Sequence, residues 1–452
     1  MREGLSVVGP GMGGRRRPSR AEQQQQRRGN SYRRSTTGTN QEVQEVKLTI
    51  DMSVVTNQLR AALASKDADA VAKAIDVPIV PSGGGKYKGP PSSSRLSVDG
   101  ADYSNMLSAL QDATKAAAAG DAMSCFDAQS RLHSALNHNF GSSAGNWLVP
   151  ALQQTCRNTH RLAVQADEAA SIEAGGRNDH SRLQGAVTLL QESFSKTLND
   201  RKEFDPRAPL DENGSKKAGV LFIVNQLFAM YFRLNTLRLC KNLVRPVESR
   251  NLHTSGKMGE MVTYRYFVGR LNMFEDQYDE AEKNLDYALQ HCHKDAIKNK
   301  RLILTYLVPV KLLRGRLPTT HLLKKYSLHE FVPLVEGIRT GDLRTFNDGL
   351  LRYQNLFITR GTYLLLEKCK TVCYRNLFKR VHLILGKTQI RLDSVSKAFK
   401  WLGMKIDHDE VECILANLIF KGYIRGYISH GMKTLVLSKR DPFPKAAVIA
   451  GR

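Results

Sequence analysis

The segment that most constrains the fold is ILANLIFKGYIRGYISHGMKTLVLSK, at residues 414–439. Its first part is apolar with helical spacing. Two short segments of alternating apolar and polar residues follow, one on each side of a His-Gly turn. We therefore predict the end of a helix and then a hairpin with strands at 423–429 and 433–438.

Two further helices are predicted before this segment. Residues 361–385 have the periodicity of one long helix, and LDSVSKAFKWLGM at 392–404 predicts a second helix with Asp393 as its N-cap. The resulting order of helix, strand, helix, helix and hairpin is that of a winged helix, which we place at 361–445. Residues 446–452 are predicted to be a tail.

Pairs of helices are predicted for residues 211–360. In YRYFVGRLNMFEDQYDEAEKNLDYALQHC, Gly269 on one helix and Ala281 and Leu285 on the next indicate a close helix crossing. This arrangement resembles a tetratricopeptide-type helix pair, which cannot bury its own apolar face and needs neighbouring pairs. The predicted fold class is mainly α, a tetratricopeptide-like superhelix of helical pairs capped by a C-terminal winged helix.

The amino-terminal half is predicted to contain helical repeats at 49–210, interrupted by a Gly/Pro/Ser linker at 80–100. Residues 1–48 have several arginine clusters and almost nothing apolar to bury, so we predict a disordered basic tail. The alanine-rich stretches that predict helices lie at 102–118, 121–138, 146–170 and 180–198.

Positive charge is concentrated in the second half of the chain. The formal net charge is +24, and residues 216–452 hold forty-one basic and twenty acidic side chains. A field of this kind favours phosphate backbones or an acidic protein partner, and charge alone does not choose between them.

The start of the third winged-helix helix argues against base reading in the major groove. A helix-turn-helix protein presents hydrogen-bond donors to base edges there, whereas this chain has Asp407, Asp409, Glu410 and Glu412. The basic side chains lie elsewhere and are expected to follow a phosphate backbone without reading bases. The candidates for nucleic-acid binding are Lys368, Arg375, Lys379, Lys397, Lys400, Lys421, Arg425, Lys433, Lys439 and Arg440.

Three of these candidates, Lys368, Arg375 and Lys379, are spaced seven and four residues apart, which predicts one stripe on the long helix. The first predicted strand supplies candidates for contact with a protein partner: Tyr423, Ile424, Tyr427 and Ile428.

The sequence predicts no enzymatic activity, cofactor or metal site. We find no paired nucleophile and base, no paired carboxylates and no phosphate-binding loop. The seven cysteines are scattered along the chain and are interpreted as reduced thiols of a cytosolic or nuclear protein. The longest apolar stretch is too short to span a bilayer, so no membrane partner is expected.

Helical pairs that lead directly into a winged helix are also the layout of the PCI domain. Several segments of this chain resemble the PCI domain-containing protein 2 family, the PCI subunits of the transcription-and-export complex 2. The segments that carry the resemblance are LVRPVESRNL, TYRYFVGR, HCHKDAIKNKRLILTYLVPVKLLRGRLPT, CYRNLF, ECILANLIFKGYIRGYISH and LSKRDPFP.

The resemblance implies a nuclear protein near pore complexes, with some cytoplasmic presence, that couples transcription to mRNA export. It also implies two protein partners, a larger PCI-type scaffold subunit and a small acidic protein shared with the proteasome lid. RNA or DNA would be bound without sequence specificity. The alternative is a structural PCI subunit of a proteasome-lid-like or signalosome-like assembly that has no nucleic-acid role.

Overall fold

The computed structural model describes residues 49–78, 86–89, 95–143, 145–173, 180–254 and 256–449. The basic tail predicted at 1–48 lies outside this range, and so do parts of the predicted linker. None of the helices within the described residues has the length and apolar character needed to cross a membrane.

The amino-terminal half is a series of helices that pack in succession, as the alanine-rich stretches predict. Asp121 begins one of them by accepting hydrogen bonds from the backbone N–H groups of Met123 and Ser124, directly after Gly120 ends the previous helix in the left-handed conformation. These helices are α1 Met52–Ala64, α2 Ala68–Ala74, α3 Ser104–Ala119, α4 Ala122–Ser142, α5 Val149–Glu173 and α6 Ser181–Leu198.

Part of the predicted linker at 80–100 is ordered, which corrects that prediction. Strand β1, Thr49–Asp51, pairs in parallel with β2, Lys86–Lys88. Strands β3, Ser97–Val98, and β4, Ala101–Asp102, then form a short antiparallel pair. Leu96 is fully buried in the core, so this segment packs on the helices instead of separating them.

The middle of the chain continues as packed helical pairs. Their bounds are α7 Val220–Arg233, α8 Cys240–Ser249, α9 Met258–Phe274, α10 Tyr278–His291, α11 Ile297–Leu313, α12 Thr320–Lys325, α13 Val332–Thr340, α14 Leu343–Arg352 and α15 Gln354–Thr359. Gly269 on α9 lies at the predicted crossing, because a Cβ placed on it would be 2.7 Å from Leu285 Cγ on α10. Only glycine allows these two helices to approach so closely.

The long helix predicted at 361–385 is divided in two, α16 Tyr363–Lys368 and α17 Lys370–Leu385. At Cys369 the backbone N–H bonds to the carbonyl of Leu366, three residues back instead of four. This tighter turn changes the direction in which side chains point before and after it.

The winged helix is present with the predicted order of elements. Strand β5, Gln389–Arg391, is followed by α18, Leu392–Trp401, α19, His408–Phe420, and the hairpin strands β6, Gly426–Ser429, and β7, Thr434–Leu437. The antiparallel sheet has the order β5–β7–β6, with Gly426 opposite Leu437 at the base and Ser429 opposite Thr434 near the tip.

Residues 446–449 are not a free tail. They form a short helix, α20 Ala446–Ile449, and Ala446 is buried. A Cβ placed on Gly315 would collide with the Cβ of Ala446, so this segment packs directly on the turn after α11.

Candidate nucleic-acid interface

Helix α18 presents two of the predicted basic residues to solvent. Its buried face is formed by Leu392, Val395, Ser396 and Phe399, as the apolar spacing predicts. Lys397 and Lys400 therefore point away from the core and are exposed.

The N-cap of α18 is Arg391, which corrects the prediction of Asp393 as the cap. Asp393 is in the first turn, where its carboxylate lies 3.1 Å from Arg391 Nη2 and 3.5 Å from His408 Nε2. A carboxylate at this position still interacts favourably with the helix dipole.

The tip of the hairpin lies beside the start of α18. Lys433 has a positive φ of 47° in the turn between β6 and β7, and its carbonyl accepts a hydrogen bond from Leu392 N–H at 2.9 Å. Its side chain is exposed. We call Lys397, Lys400 and Lys433 the helix–wing group.

A second set of basic side chains lies at the other end of the hairpin, near its base. The backbone of Arg425 bonds to Ser438 and Pro442, which brings Lys439 and Arg440 next to it. Lys421, at the end of α19, precedes this strand. The Arg425 guanidinium lies 3.5 Å from the carboxylate of Asp441, so part of this positive charge is compensated. We call Lys421, Arg425, Lys439 and Arg440 the base group.

Arg375 is buried and is not available to bind a phosphate, which corrects its prediction as a nucleic-acid contact. Its Nη2 donates hydrogen bonds to the carbonyls of Phe443, at 2.7 Å, and Pro444, at 2.6 Å. Burial lowers the pKa of this guanidinium. Arg375 instead fixes the segment after the wing to α17.

The predicted stripe of Lys368, Arg375 and Lys379 is therefore not formed. Lys368 belongs to α16, and its ammonium contacts the Asp276 carboxylate at 2.8 Å and the Tyr278 hydroxyl at 3.0 Å. The hydrogen bond to Asp276 raises the pKa of Lys368. Of the three, only Lys379 is exposed without such a partner among the described residues.

The acidic start of α19 is tied into the winged helix. The Asp407 side chain caps the helix by accepting a hydrogen bond from Glu410 N–H at 2.7 Å. The Glu412 carboxylate lies 2.7 Å from Nδ1 of His430 in the wing turn, and this hydrogen bond raises the pKa of His430. The negative charge predicted there is retained, and it opposes base reading in the major groove.

Two of the four predicted partner-binding residues are buried, which corrects their assignment. The backbone N–H groups of Tyr423 and Ile424 both bond to the carbonyl of Leu418, so they close the end of α19 instead of starting the strand. Gly422, with φ of 77°, allows this turn. The Lys-Gly pair was the sequence signal for such a helix end.

The other two predicted partner residues are on the hairpin surface: Tyr427 is exposed, and Ile428 is half-buried. Sequence reasoning missed Phe420, which is 89% exposed at the end of α19. Phe420 borders an open cavity of about 540 Å³ whose other lining residues include Val448 and Ile449.

Trp401 is the second exposed aromatic residue that the sequence interpretation overlooked. It lies at the end of α18 and is 83% exposed. Its exposure could have been inferred from the sequence, because Trp401 lies outside the apolar face of Val395 and Phe399. It also follows Lys397 by one helical turn.

The described residues contain no group of three His, Cys, Asp or Glu side chains placed to hold a metal ion. His133 lies in a polar cluster, but it is fully buried between Thr159 and Ser193. Burial raises the pKa of the Cys125 thiol, and likewise that of Cys156, to about 12. Thiols of this kind are poor nucleophiles.

Comparison with known proteins agrees with this architecture. Residues 350–439, which include the winged-helix elements from α17 to β7, match the PCI domain. Enhanced ethylene response protein 5 of Arabidopsis thaliana is 33% identical over 76% of this chain and 81% of the plant protein. A protein of Mycosarcoma maydis named Protein CSN12 homolog is 34% identical over 72% of this chain and 76% of its own length.

A higher identity is found with PCI domain-containing protein 2 of Xenopus laevis. It is 40% identical over 305 residues, which are 67% of this chain and 74% of that protein. The homologue in Dictyostelium discoideum is 44% identical over 62% of this chain and 66% of its own length. Together with the winged helix that follows packed helical pairs, these similarities show that the chain belongs to the PCI domain-containing protein 2 family.

Proposed function

We propose that this chain is a non-enzymatic subunit of a nuclear complex that couples transcription to mRNA export. In that complex it contacts a larger PCI-type scaffold subunit and a small acidic protein. It also binds RNA or DNA without sequence specificity through the winged helix. It acts in the nucleus near pore complexes, with some cytoplasmic presence. Membership of the family and the excess of basic residues in the second half of the chain support this proposal.

The helix–wing group is the observation that carries the nucleic-acid part of the proposal. The ion pairs of the winged helix, within the described residues, involve Arg391, Arg425, His408 and His430 as the basic partners. Lys397, Lys400 and Lys433 are therefore exposed cations with no carboxylate partner in that set. Cations held on a folded surface attract phosphates, and releasing counterions from a nucleic acid drives such binding.

Lack of sequence specificity follows from the position of these cations. They lie on the outward side of α18 and on the wing turn, whereas the helix start that would enter a major groove carries Asp409 and Glu410. Contacts from lysine ammonium groups to phosphates carry no base information. Binding that depends strongly on salt and weakly on sequence is the expected behaviour.

The test is a salt titration of nucleic-acid affinity for a Lys397→Glu, Lys400→Glu, Lys433→Glu triple variant of the full chain. We expect weaker binding to every sequence, and a slope of log K against log salt reduced by about 2. The matched control changes Lys73, Lys115 and Lys298, three exposed lysines elsewhere, to Glu, with the same change in net charge. If the triple variant and the control bind with equal affinity and slope, this site assignment is wrong.

The alternative is a structural PCI subunit of a lid-like or signalosome-like assembly. The similarity to the protein named CSN12 homolog is the observation that favours it. It predicts that the wild-type chain binds neither RNA nor DNA at physiological salt, and that the positive field attracts an acidic protein instead.

A further inference from the structure

Trp401 is an aromatic side chain whose exposure has no explanation in the fold. Helix α18 buries Leu392, Val395 and Phe399, and Trp401 projects on the other side with 83% of its surface exposed. Within the described residues the indole makes no ring–ring and no cation–π contact. A large apolar surface left open in this way is characteristic of a binding site.

The surroundings of Trp401 are basic. Lys397 lies one helical turn before it on the same side of α18, and Lys400 and Lys405 flank it in sequence; all three are exposed. Arg344 of α14 lies beside Gly403, two residues after Trp401, because a Cβ on Gly403 would lie 2.8 Å from Arg344 Nη2. These four basic residues and the indole define what we call the tryptophan patch.

The basic side chains of this patch are not neutralised by neighbouring acids. The ion pairs among the described residues near α14 and α18 do not include any of the four. The closest acids in sequence are Asp342 and Asp407, whose carboxylates cap α14 and α19 by accepting backbone hydrogen bonds. Asp393 lies one turn before Lys397, and its carboxylate is in contact with Arg391 and His408. The patch therefore combines an open aromatic face with unpaired positive charge, and this charge favours a polyanion over an apolar protein segment.

A single-stranded nucleic acid matches this combination. Its bases are unpaired and can stack on an aromatic ring, while its phosphates can bind cationic side chains on either side of that ring. Duplex bases are stacked on each other and do not offer a face to an indole at a protein surface. Stacking also tolerates every base, which agrees with binding that lacks sequence specificity.

We propose that Trp401 is a stacking platform for one base of a single-stranded RNA or DNA, with its neighbouring phosphates held by Lys400, Lys405 and Arg344. This inference rests on the proposed function and deepens it, because it makes the single strand the preferred ligand. It also places the contact at the carboxyl end of α18.

Intrinsic fluorescence gives a direct test, because the chain has only two tryptophans. Trp147 is 5% exposed, whereas Trp401 is 83% exposed. A single-stranded oligouridylate added to the full chain is expected to quench the Trp401 emission, and a duplex of equal length to quench it much less. A Trp147→Phe variant should retain the quenching, and a Trp401→Phe variant should lose it.

Affinity measurements separate stacking from charge. Trp401→Ala is expected to weaken single-strand binding about tenfold and to leave duplex binding and the salt slope unchanged. Trp401→Phe should restore most of the affinity. The matched control is Ile172→Ala, which removes an equally exposed apolar side chain, also 83% exposed, from α5.

Three other results would overturn the stacking platform, and one of them would also overturn the nucleic-acid part of the proposed function. If wild-type and Trp401→Ala chains bind the single strand equally well, the stacking platform is wrong while the proposed function stands. The platform is also wrong if Trp401→Ala loses a protein partner and keeps its affinity for the single strand. If the wild-type chain binds no nucleic acid at low salt, both the platform and the nucleic-acid part of the proposed function fail.

Discussion

Residues with the same spacing have different roles because their surroundings differ. Arg375 and Lys379 are one helical turn apart on α17, yet Arg375 is buried against Phe443 and Lys379 is exposed. Nothing near Arg375 in the sequence indicates this burial, since the carbonyls that it contacts lie 68 and 69 residues away. Sequence reasoning therefore found the basic residues but could not separate a structural arginine from a solvent-exposed lysine.

Replacing Arg375 with Ala is expected to lower the free energy of unfolding by about 3 kcal/mol, because two buried carbonyls lose their charged donor. Urea unfolding of the full chain measures this change. Lys379→Ala is the matched control and should change the stability by less than about 0.5 kcal/mol. Equal stabilities for the two variants would contradict the role given to Arg375.

At the scale of elements, the pair α9–α10 was predictable because its close crossing depends on residues only sixteen positions apart. Gly269 removes the side chain that would collide with Leu285, and Ala281 and Leu285 are fully buried on the facing helix. The division of α16 from α17 was not predictable in this way. It depends on hydrogen bonding at Cys369, whose buried thiol also contacts the Pro309 carbonyl of α11.

Gly269→Ala should destabilise the chain by about 1–3 kcal/mol, because the new methyl group overpacks the crossing with α10. Gly185 is a matched control in α6, since a Cβ placed there meets nothing within 4 Å. Gly185→Ala is expected to raise stability by about 0.5–1 kcal/mol through helix propensity. If thermal or urea unfolding shows that both substitutions change the stability in the same direction, the close crossing is wrong.

The contact among α4, α5 and α6 includes a buried polar cluster around His133. Its Nδ1 lies 2.9 Å from Thr159 Oγ1, and its Nε2 lies 2.8 Å from Ser193 Oγ. Burial lowers the pKa of His133 to about 4. The nearby Glu192 carboxylate raises this pKa, but its effect is smaller than that of burial. The imidazole is therefore neutral in the folded chain at pH 7.

This lowered pKa makes the amino-terminal helices sensitive to acid. An unfolded histidine takes up a proton near pH 6.5 and folded His133 only near pH 4. Acidification from pH 7 to pH 5 should therefore cost about 2 kcal/mol of stability at this residue. Urea unfolding at both pH values should show this loss in the wild type and a smaller loss in His133→Gln. An identical loss in the two proteins would show that His133 does not contribute.

For the whole molecule, the sequence was sufficient for the fold class and for the order of elements in the winged helix, because helices and hairpins are encoded by local periodicity. It was insufficient for contacts between segments that are far apart in the sequence. Ala446 packs on Gly315, and β1 pairs with β2, which lies within the predicted linker. Both contacts join residues that are distant in sequence, and the local periodicity of apolar residues does not indicate such contacts. The tryptophan patch has the same origin, since Arg344 approaches Gly403, two residues after Trp401, only in the folded chain.

We propose that this PCI-domain chain works inside a nuclear export complex. Native affinity purification of the tagged chain, at moderate salt with nuclease and read by mass spectrometry, is the first experiment to make. We expect a larger PCI-type scaffold subunit and a small acidic protein to co-purify with the tagged chain. Recovery of proteasome-lid or signalosome subunits in place of that scaffold would show that the proposal is wrong and that the winged helix serves assembly alone.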